Sequence, residues 1–121
     1  MGDKRIKSKA GKELLQNIRK ICKKLPEIKE AVDEFGHTSF RINDKPIVIL
    51  GEYGKPSVSV KADKSMQEVL IESGAYSKTP YIGQHGWVSA EDKFDFKQLE
   101  GLIVEAFMRT APKRLLKQFE A

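Results

Sequence analysis

The sequence predicts an α+β fold: a single compact domain with a central antiparallel sheet and helices packed on one of its faces. Apolar residues recur at helical spacing near both ends of the chain, and short segments between them alternate apolar and polar residues. Tight turns separate the alternating segments, so neighbouring strands pair antiparallel. The predicted element order is α-β-β-β-α-β-α.

The first element is an amphipathic helix from Ser8 to Leu25. Ser8 is a typical N-cap residue, and Pro26 directly after the helix stops it. The basic segment 1–9 is expected to be a flexible tail ahead of a single domain at 10–121. The acidic segment 27–36 is compatible with a helical turn or a loop, and we assign it as a connection.

Three strands follow in a meander. Segments 37–43 and 57–61 alternate apolar and polar residues, and 46–52 lies between them as a more apolar strand. Asp44-Lys45 forms the first turn, and residues 53–56, which include a glycine and a proline, form the second. Consecutive hairpins of this length give an antiparallel sheet.

The second half of the chain predicts two helices, a strand and a terminal helical turn. Segment 62–74 has the apolar spacing of a short helix, and a strand covers 87–89. Asp95 caps a long helix, and Pro112 suits the first position of a last helical segment. The residues expected to dock that segment are apolar: Leu115, Leu116 and Phe119.

Charge is distributed unevenly over the 121 residues. The first 24 residues carry nine Lys or Arg and two acids, a net charge of +7, whereas the chain as a whole has a net charge of +5. A basic end of this kind can follow a polyanion such as nucleic acid, or it can be the solvated face of a helix. Charge alone leaves both interpretations open.

Several classes of protein are excluded by what the sequence lacks. No apolar run is long enough to span a membrane, and the basic N-terminus has no signal-peptide core, so we expect a cytoplasmic protein. One cysteine, Cys22, excludes an internal disulfide, and with His37 and His85 it is too scattered for a zinc site. Phosphate-loop and nucleophile-elbow motifs are also missing, so we expect no catalytic residue, metal or cofactor.

The segment "TPYIGQHGW" (79–87) has the least ordinary composition and allows two interpretations. In the first, Tyr81 and Trp87 anchor two strands, the glycines permit a tight turn and His85 tethers it. In the second, Tyr81, His85 and Trp87 form a small aromatic pocket in which a planar ligand stacks.

Four segments resemble, in order, the MmcQ/YjbR family of small bacterial proteins: "LPEIKEAVDEFGHTSFRINDKP" (25–46), "KPSVSVKADKSMQEVLIESG" (55–74), "TPYIGQHGWVSA" (79–90) and "APKRL" (111–115). The resemblance implies a compact CyaY-like fold, no agreed enzymatic activity and a proposed DNA-binding mode through two β-hairpin wings. Carried onto this chain, the wing tips are Asn43-Asp44-Lys45 and Tyr53-Gly54-Lys55, flanked by Arg41 and Lys61.

We therefore expect a non-enzymatic protein whose partner is DNA. Residues 25–108 carry nine Lys or Arg and fourteen acids, so the first helix and the C-terminal basic pair are favoured over the wings as the contact surface. The alternatives are a module that binds a protein partner or forms a homodimer, and a small-ligand binder at the loop 79–87. The candidate nucleic-acid contacts are Lys12, Arg19, Lys20, Lys23, Arg41, Lys45, Lys55, Lys61, Lys113 and Arg114.

Overall fold

The computed structural model describes residues 3–120, in which four helices pack with one six-stranded sheet. Residues 1–2 of the expected tail and residue 121 of the expected domain lie outside the described residues. The elements in chain order are α1 (Lys9–Lys23), β1 (Lys29–Val32), β2 (Thr38–Ile42), β3 (Lys45–Tyr53), β4 (Lys55–Lys61), α2 (Lys64–Glu72), β5 (Ser77–Lys78), a single 3₁₀ turn (Gly83–His85), β6 (Trp87–Glu91), α3 (Phe96–Thr110) and α4 (Lys113–Glu120).

The sheet has the strand order β1-β2-β3-β4-β6-β5, and every neighbouring pair is antiparallel. Strands β2 to β4 form the predicted meander, and β6 adds to its far side. Helices α1 and α3 pack against the central strands. The predicted α+β class is confirmed, with β1 and β5 as additional edge strands.

Alternation along β4 explains how the sheet meets the helices. Val58 and Val60 are buried in the core, whereas Ser57, Ser59 and Lys61 are only partly buried. Because successive side chains of a strand point to opposite faces, the two valines face the helices and the polar residues face the other way. The large fully buried residues of the core include Leu14, Ile18, Leu50, Leu99, Ile103 and Phe107.

The helix ends follow the predicted capping. Ser8 accepts the amide of Gly11 at the start of α1, and Asp63 and Asp95 cap α2 and α3 in the same way. After Pro112, α4 docks as expected: Leu115 is buried, and the ring of Phe119 meets that of Phe107 edge-on with centroids 5.4 Å apart. No helix of the described residues is long and apolar enough to cross a membrane.

Two strands were not predicted from the sequence. Strand β1 lies inside the segment 27–36 that we assigned as a connection, and all four of its residues are exposed. Such a segment has no alternation of buried and exposed positions, and it is a strand because it pairs with β2. Strand β5 has only two residues, Ser77 and Lys78, which is too short to leave a pattern.

The described part of the expected tail makes contacts with the sheet. The Lys4 amide donates to the carbonyl oxygen of Phe35 at 2.8 Å, and the Lys4 carbonyl oxygen accepts the amide of Glu52 at 2.9 Å. The Lys4 ammonium lies 3.9 Å from the centre of the Tyr53 ring, a favourable cation–π geometry. These contacts place residues 3–8 along the end of β3; the flexibility of the segment stays a prediction.

Candidate nucleic-acid interface

The outer face of α1 carries a row of four exposed lysines, Lys9, Lys12, Lys20 and Lys23, which we call the lysine row. Their spacing, with Gln16 in the middle, follows intervals of three and four residues along one side of the helix. At a rise of 1.5 Å per residue the row is about 21 Å long.

No ion pair in the described residues involves a member of the lysine row. Glu13 is the only acid within α1, and it lies beside the row. The apolar side of the helix is fixed in the core through Leu14, Ile18 and Ile21, so the row faces away from the protein. Four ammonium groups are therefore presented on one face.

Arg19 also lies on α1, but its charge is matched by Glu30 of β1. Its guanidinium donates to both carboxylate oxygens, at 2.8 and 2.7 Å. Hydrogen bonding to Arg19 lowers the pKa of Glu30, against the opposing effect of partial burial. The pair fixes α1 to the edge of the sheet and leaves Arg19 a poor phosphate contact.

Arg114 is engaged in the same way by Glu27, which lies far away in sequence. The two guanidinium–carboxylate distances are 2.7 and 3.2 Å, and this hydrogen bonding lowers the pKa of Glu27. Lys113, the other member of the C-terminal basic pair, is exposed and has no ion pair within the described residues. Of the two basic residues expected to contact nucleic acid near the C-terminus, only Lys113 therefore has an unpaired charge among the described residues.

The two wing tips lie at opposite ends of the sheet. Both turns flank β3, whose nine residues Lys45–Tyr53 separate them by about 27 Å at the usual rise of a strand. Consecutive hairpins of a meander always turn at opposite ends. A ligand must therefore extend along the whole strand to contact both tips.

Two of the four basic residues at the wings already have partners for their side chains. Arg41 donates to the Asp44 carbonyl oxygen at 2.9 Å, and Lys55 pairs with Asp92 at 3.1 Å. Lys61 is partly buried, and its carbonyl oxygen accepts a hydrogen bond from Arg109. Of these four residues, only Lys45 is both exposed and without an ion pair in the described part of the chain.

Of the ten candidate contacts, the structure gathers Lys12, Lys20 and Lys23 on one face and separates the others. It adds Lys9, which lies in both the predicted helix from Ser8 and the expected tail 1–9 and was not among the candidate contacts. The three-residue interval to Lys12 is the signal that could have identified Lys9 as a member of the row.

A cleft of about 560 Å³ lies between β1, the β2–β3 turn and the start of α4. Its walls carry as many acidic as basic side chains, and most of these are paired with each other or with Arg19. The lining residues are Glu27, Lys29, Glu30, Ala31, Arg41, Asn43, Asp44, Pro112, Arg114 and Leu115. A cleft with this balance offers no net attraction to a polyanion.

The structure does not bring Tyr81, His85 and Trp87 together as a pocket. Tyr81 is 96% exposed and Trp87 only 4% exposed, so their rings do not form one surface. The depression at this loop is lined by Tyr81 and Gln84 but by neither His85 nor Trp87. Tyr81 therefore anchors no strand, in contrast to the first interpretation: it lies in a turn with a φ of +66°.

A residue that the sequence analysis overlooked holds this loop. The buried Gln67 of α2 donates from its amide nitrogen to the carbonyl oxygens of Gly83, at 2.7 Å, and Trp87, at 2.9 Å. Gly86 has a φ of +98°, and a β-carbon there would collide with the carbonyl oxygen of Ala62. Gly86 and the buried Trp87 thus have the structural roles predicted for them.

Within residues 3–120 there is no group of three or more His, Cys, Asp or Glu side chains that could hold a metal ion. The only cysteine, Cys22, is buried, and this burial raises the pKa of its thiol to about 12. A thiol with so high a pKa is a poor nucleophile at neutral pH.

In a comparison with known protein families, the model of the YjbR family matches residues 23–109. No curated protein matches the chain. The matched span begins at the last residue of α1 and ends within α3, so most of the lysine row lies outside it.

Proposed function

We propose that this chain, which belongs to the YjbR family, is a non-enzymatic protein that binds nucleic acid through the lysine row of α1. The observation that carries the proposal is the row itself: Lys9, Lys12, Lys20 and Lys23 lie exposed on one helical face, without ion pairs in the described residues. Phosphate contacts supply most of the affinity of proteins for DNA irrespective of sequence.

Helix α1 is a better candidate than the β-hairpin wings because basic side chains of the wings are already paired with groups of the protein, whereas, within the described residues, the lysines of the row are not. A phosphate that binds Arg41 or Lys55 competes with a neighbouring group of the protein, Asp44 or Asp92. A phosphate that binds Lys12 or Lys20 displaces only water and small ions. Binding through α1 therefore keeps the full gain from counterion release.

The expected dependence of DNA affinity on salt concentration follows from the number of lysines in the row. Four phosphate contacts correspond to a slope of about −3.6 in a plot of log affinity against log salt concentration. Affinity for duplex DNA then falls by roughly 10²-fold between 50 and 200 mM salt. Because no base-reading group is identified, we expect little preference among mixed sequences.

The test is the anisotropy of labelled mixed-sequence duplex DNA, titrated with protein over a series of salt concentrations. We expect the double variant Lys12→Ala/Lys20→Ala to flatten the slope by about 1.8. The matched control is Lys64→Ala/Lys97→Ala, which removes the same charge from exposed positions on α2 and α3. If the two double variants bind alike, or if affinity does not depend on salt, the proposal is wrong.

A further inference from the structure

Strand β1 leaves one edge of the sheet open. It is the terminal strand of the sheet order, and within residues 3–120 it pairs with β2 alone. All four of its residues are exposed, and Val32 exposes 59% of its surface. An exposed edge presents a row of free amide and carbonyl groups that a further strand can pair with.

The outward-facing groups of β1 can be identified from its pairing. The amide of Asp33 donates to the carbonyl oxygen of His37, so Asp33 faces β2. Hydrogen-bonded positions alternate along an antiparallel strand, and therefore Lys29 and Ala31 also face β2. The amide and carbonyl groups of Glu30 and Val32 then point away from the sheet.

The segment Lys29–Asp33, with the sequence KEAVD, is complementary to itself in the antiparallel direction. When Ala31 lies opposite Ala31 of a second copy, the outward groups of Glu30 pair with those of Val32 at both ends. In the same register Lys29 lies opposite Asp33 of the other copy, twice, on one face of the sheet. Oppositely charged residues directly across an antiparallel pair are favourable.

Both charged residues are exposed to solvent at this edge. Lys29 is exposed and has no ion pair within the described residues. The Asp33 side chain is 50% exposed; one carboxylate oxygen accepts the amides of Phe35 and His37, and the other lies 3.2 Å from Nδ1 of His37. Glu30 brings no like charge into the register, since it lies opposite valine and remains paired with Arg19.

We propose that β1 is a homodimerisation edge, at which two copies of this chain pair antiparallel about Ala31 and join their sheets into one. The pairing is independent of the lysine row and of nucleic-acid binding. It involves only a short strand, so the dimer forms reversibly and depends on protein concentration.

Amide hydrogen exchange measured by NMR tests the register directly. We expect the amides of Glu30 and Val32 to exchange slowly at high protein concentration and rapidly on dilution. The amide of Ala31 is the internal control, because it faces β2 and stays protected at every concentration. If the amides of Glu30 and Val32 exchange freely throughout, the proposal is overturned and the edge is free for a strand of another protein.

Analytical ultracentrifugation provides the second measurement. The wild-type mass should rise with concentration from 13.7 kDa towards twice that value. Val32→Pro removes an outward amide without cutting the β1–β2 ladder, and Lys29→Asp places two acids opposite each other. Both variants should remain monomers, whereas the control Lys97→Asp, with the same charge change on α3, should dimerise.

Two results of the ultracentrifugation contradict the proposal. One is a wild-type protein that stays monomeric up to about 1 mM, beyond which association is too weak to be specific. The other is a dimer that persists in both Val32→Pro and Lys29→Asp. Circular dichroism checks that each variant folds. If Val32→Pro does not fold, Lys29→Asp alone tests the proposal, because it changes an exposed residue.

Discussion

The carboxylate of Glu52 on β3 accepts a hydrogen bond from the hydroxyl of Ser8 at 2.9 Å, while Ser8 accepts the amide of Gly11 at 2.9 Å. Glu52 also accepts the amides of Lys7 and Ser8. A negative charge at a helix N-terminus is stabilising because it faces the positive end of the helix dipole. The helix that carries the lysine row is thus joined to the sheet at its N-cap residue, Ser8.

We predict that Glu52→Gln destabilises the protein by about 1 kcal/mol, the usual scale of an N-terminal cap. The amide keeps the shape of the side chain and one acceptor, but it loses the charge that faces the helix. Urea unfolding measures the change. The control is the same substitution in a Ser8→Ala background, where its effect should shrink; equal effects in both backgrounds would show that the two residues do not act together.

The same contact gives a dependence on pH. Partial burial tends to raise the pKa of Glu52, but hydrogen bonds from Ser8 and Lys7 outweigh it and lower the pKa below its usual value. A carboxylate whose pKa is lower in the folded state contributes stability above its unfolded pKa, and this is lost as pH falls through the folded pKa. The wild type should therefore lose more stability than Glu52→Gln as the pH falls from about 5 to about 3, a range that brackets the unperturbed glutamate pKa of about 4.3.

The helices were predictable from the sequence, whereas the pairing of their charged residues was not. Ser8, Asp63 and Asp95 are caps whose effect lies within one turn of helix, so local sequence identifies them. Arg19 is different: its partner Glu30 lies on a strand that the sequence did not reveal.

The loop 79–87 was ambiguous for a similar reason. Its composition suits a pocket as well as a tight turn. The contact that decides between these interpretations is made by Gln67 of α2, which donates hydrogen bonds to two backbone carbonyl oxygens of the loop. A contact between residues this far apart in sequence leaves no local pattern, so the turn interpretation could not be chosen from the loop alone.

We predict that Gln67→Leu destabilises the protein by about 1–3 kcal/mol, the net contribution of two hydrogen bonds. The leucine fills a similar volume, but the carbonyl oxygens of Gly83 and Trp87 lose their side-chain donor and keep only the backbone amides of Gly86 and Thr79. Urea unfolding followed by Trp87 fluorescence measures both the loss of stability and any exposure of the ring.

The matched control is Gln118→Leu on α4, where the glutamine is exposed. That change should shift stability by less than about 0.5 kcal/mol. If the two variants are equally stable, the hydrogen bonds of Gln67 do not hold the loop, and the structural role assigned to it is wrong.

The last prediction separates two neighbours on α1, Arg19 and Lys20. Arg19→Ala should cost about 0.5–1 kcal/mol of stability, because it removes a two-point ion pair that is partly open to solvent. It should leave the salt slope of DNA binding unchanged, since Glu30 already neutralises the guanidinium. Lys20→Ala should do the reverse: it should flatten the slope by about 0.9 and leave stability unchanged.

Glu30→Gln completes this comparison, since it frees Arg19 without removing it. We expect the slope to steepen by up to about 0.9 as Arg19 becomes available to a phosphate. Urea unfolding and DNA anisotropy on the same samples supply both readings. If Arg19→Ala and Lys20→Ala flatten the slope equally, Glu30 does not hold Arg19 away from DNA, and the binding surface is wider than the lysine row.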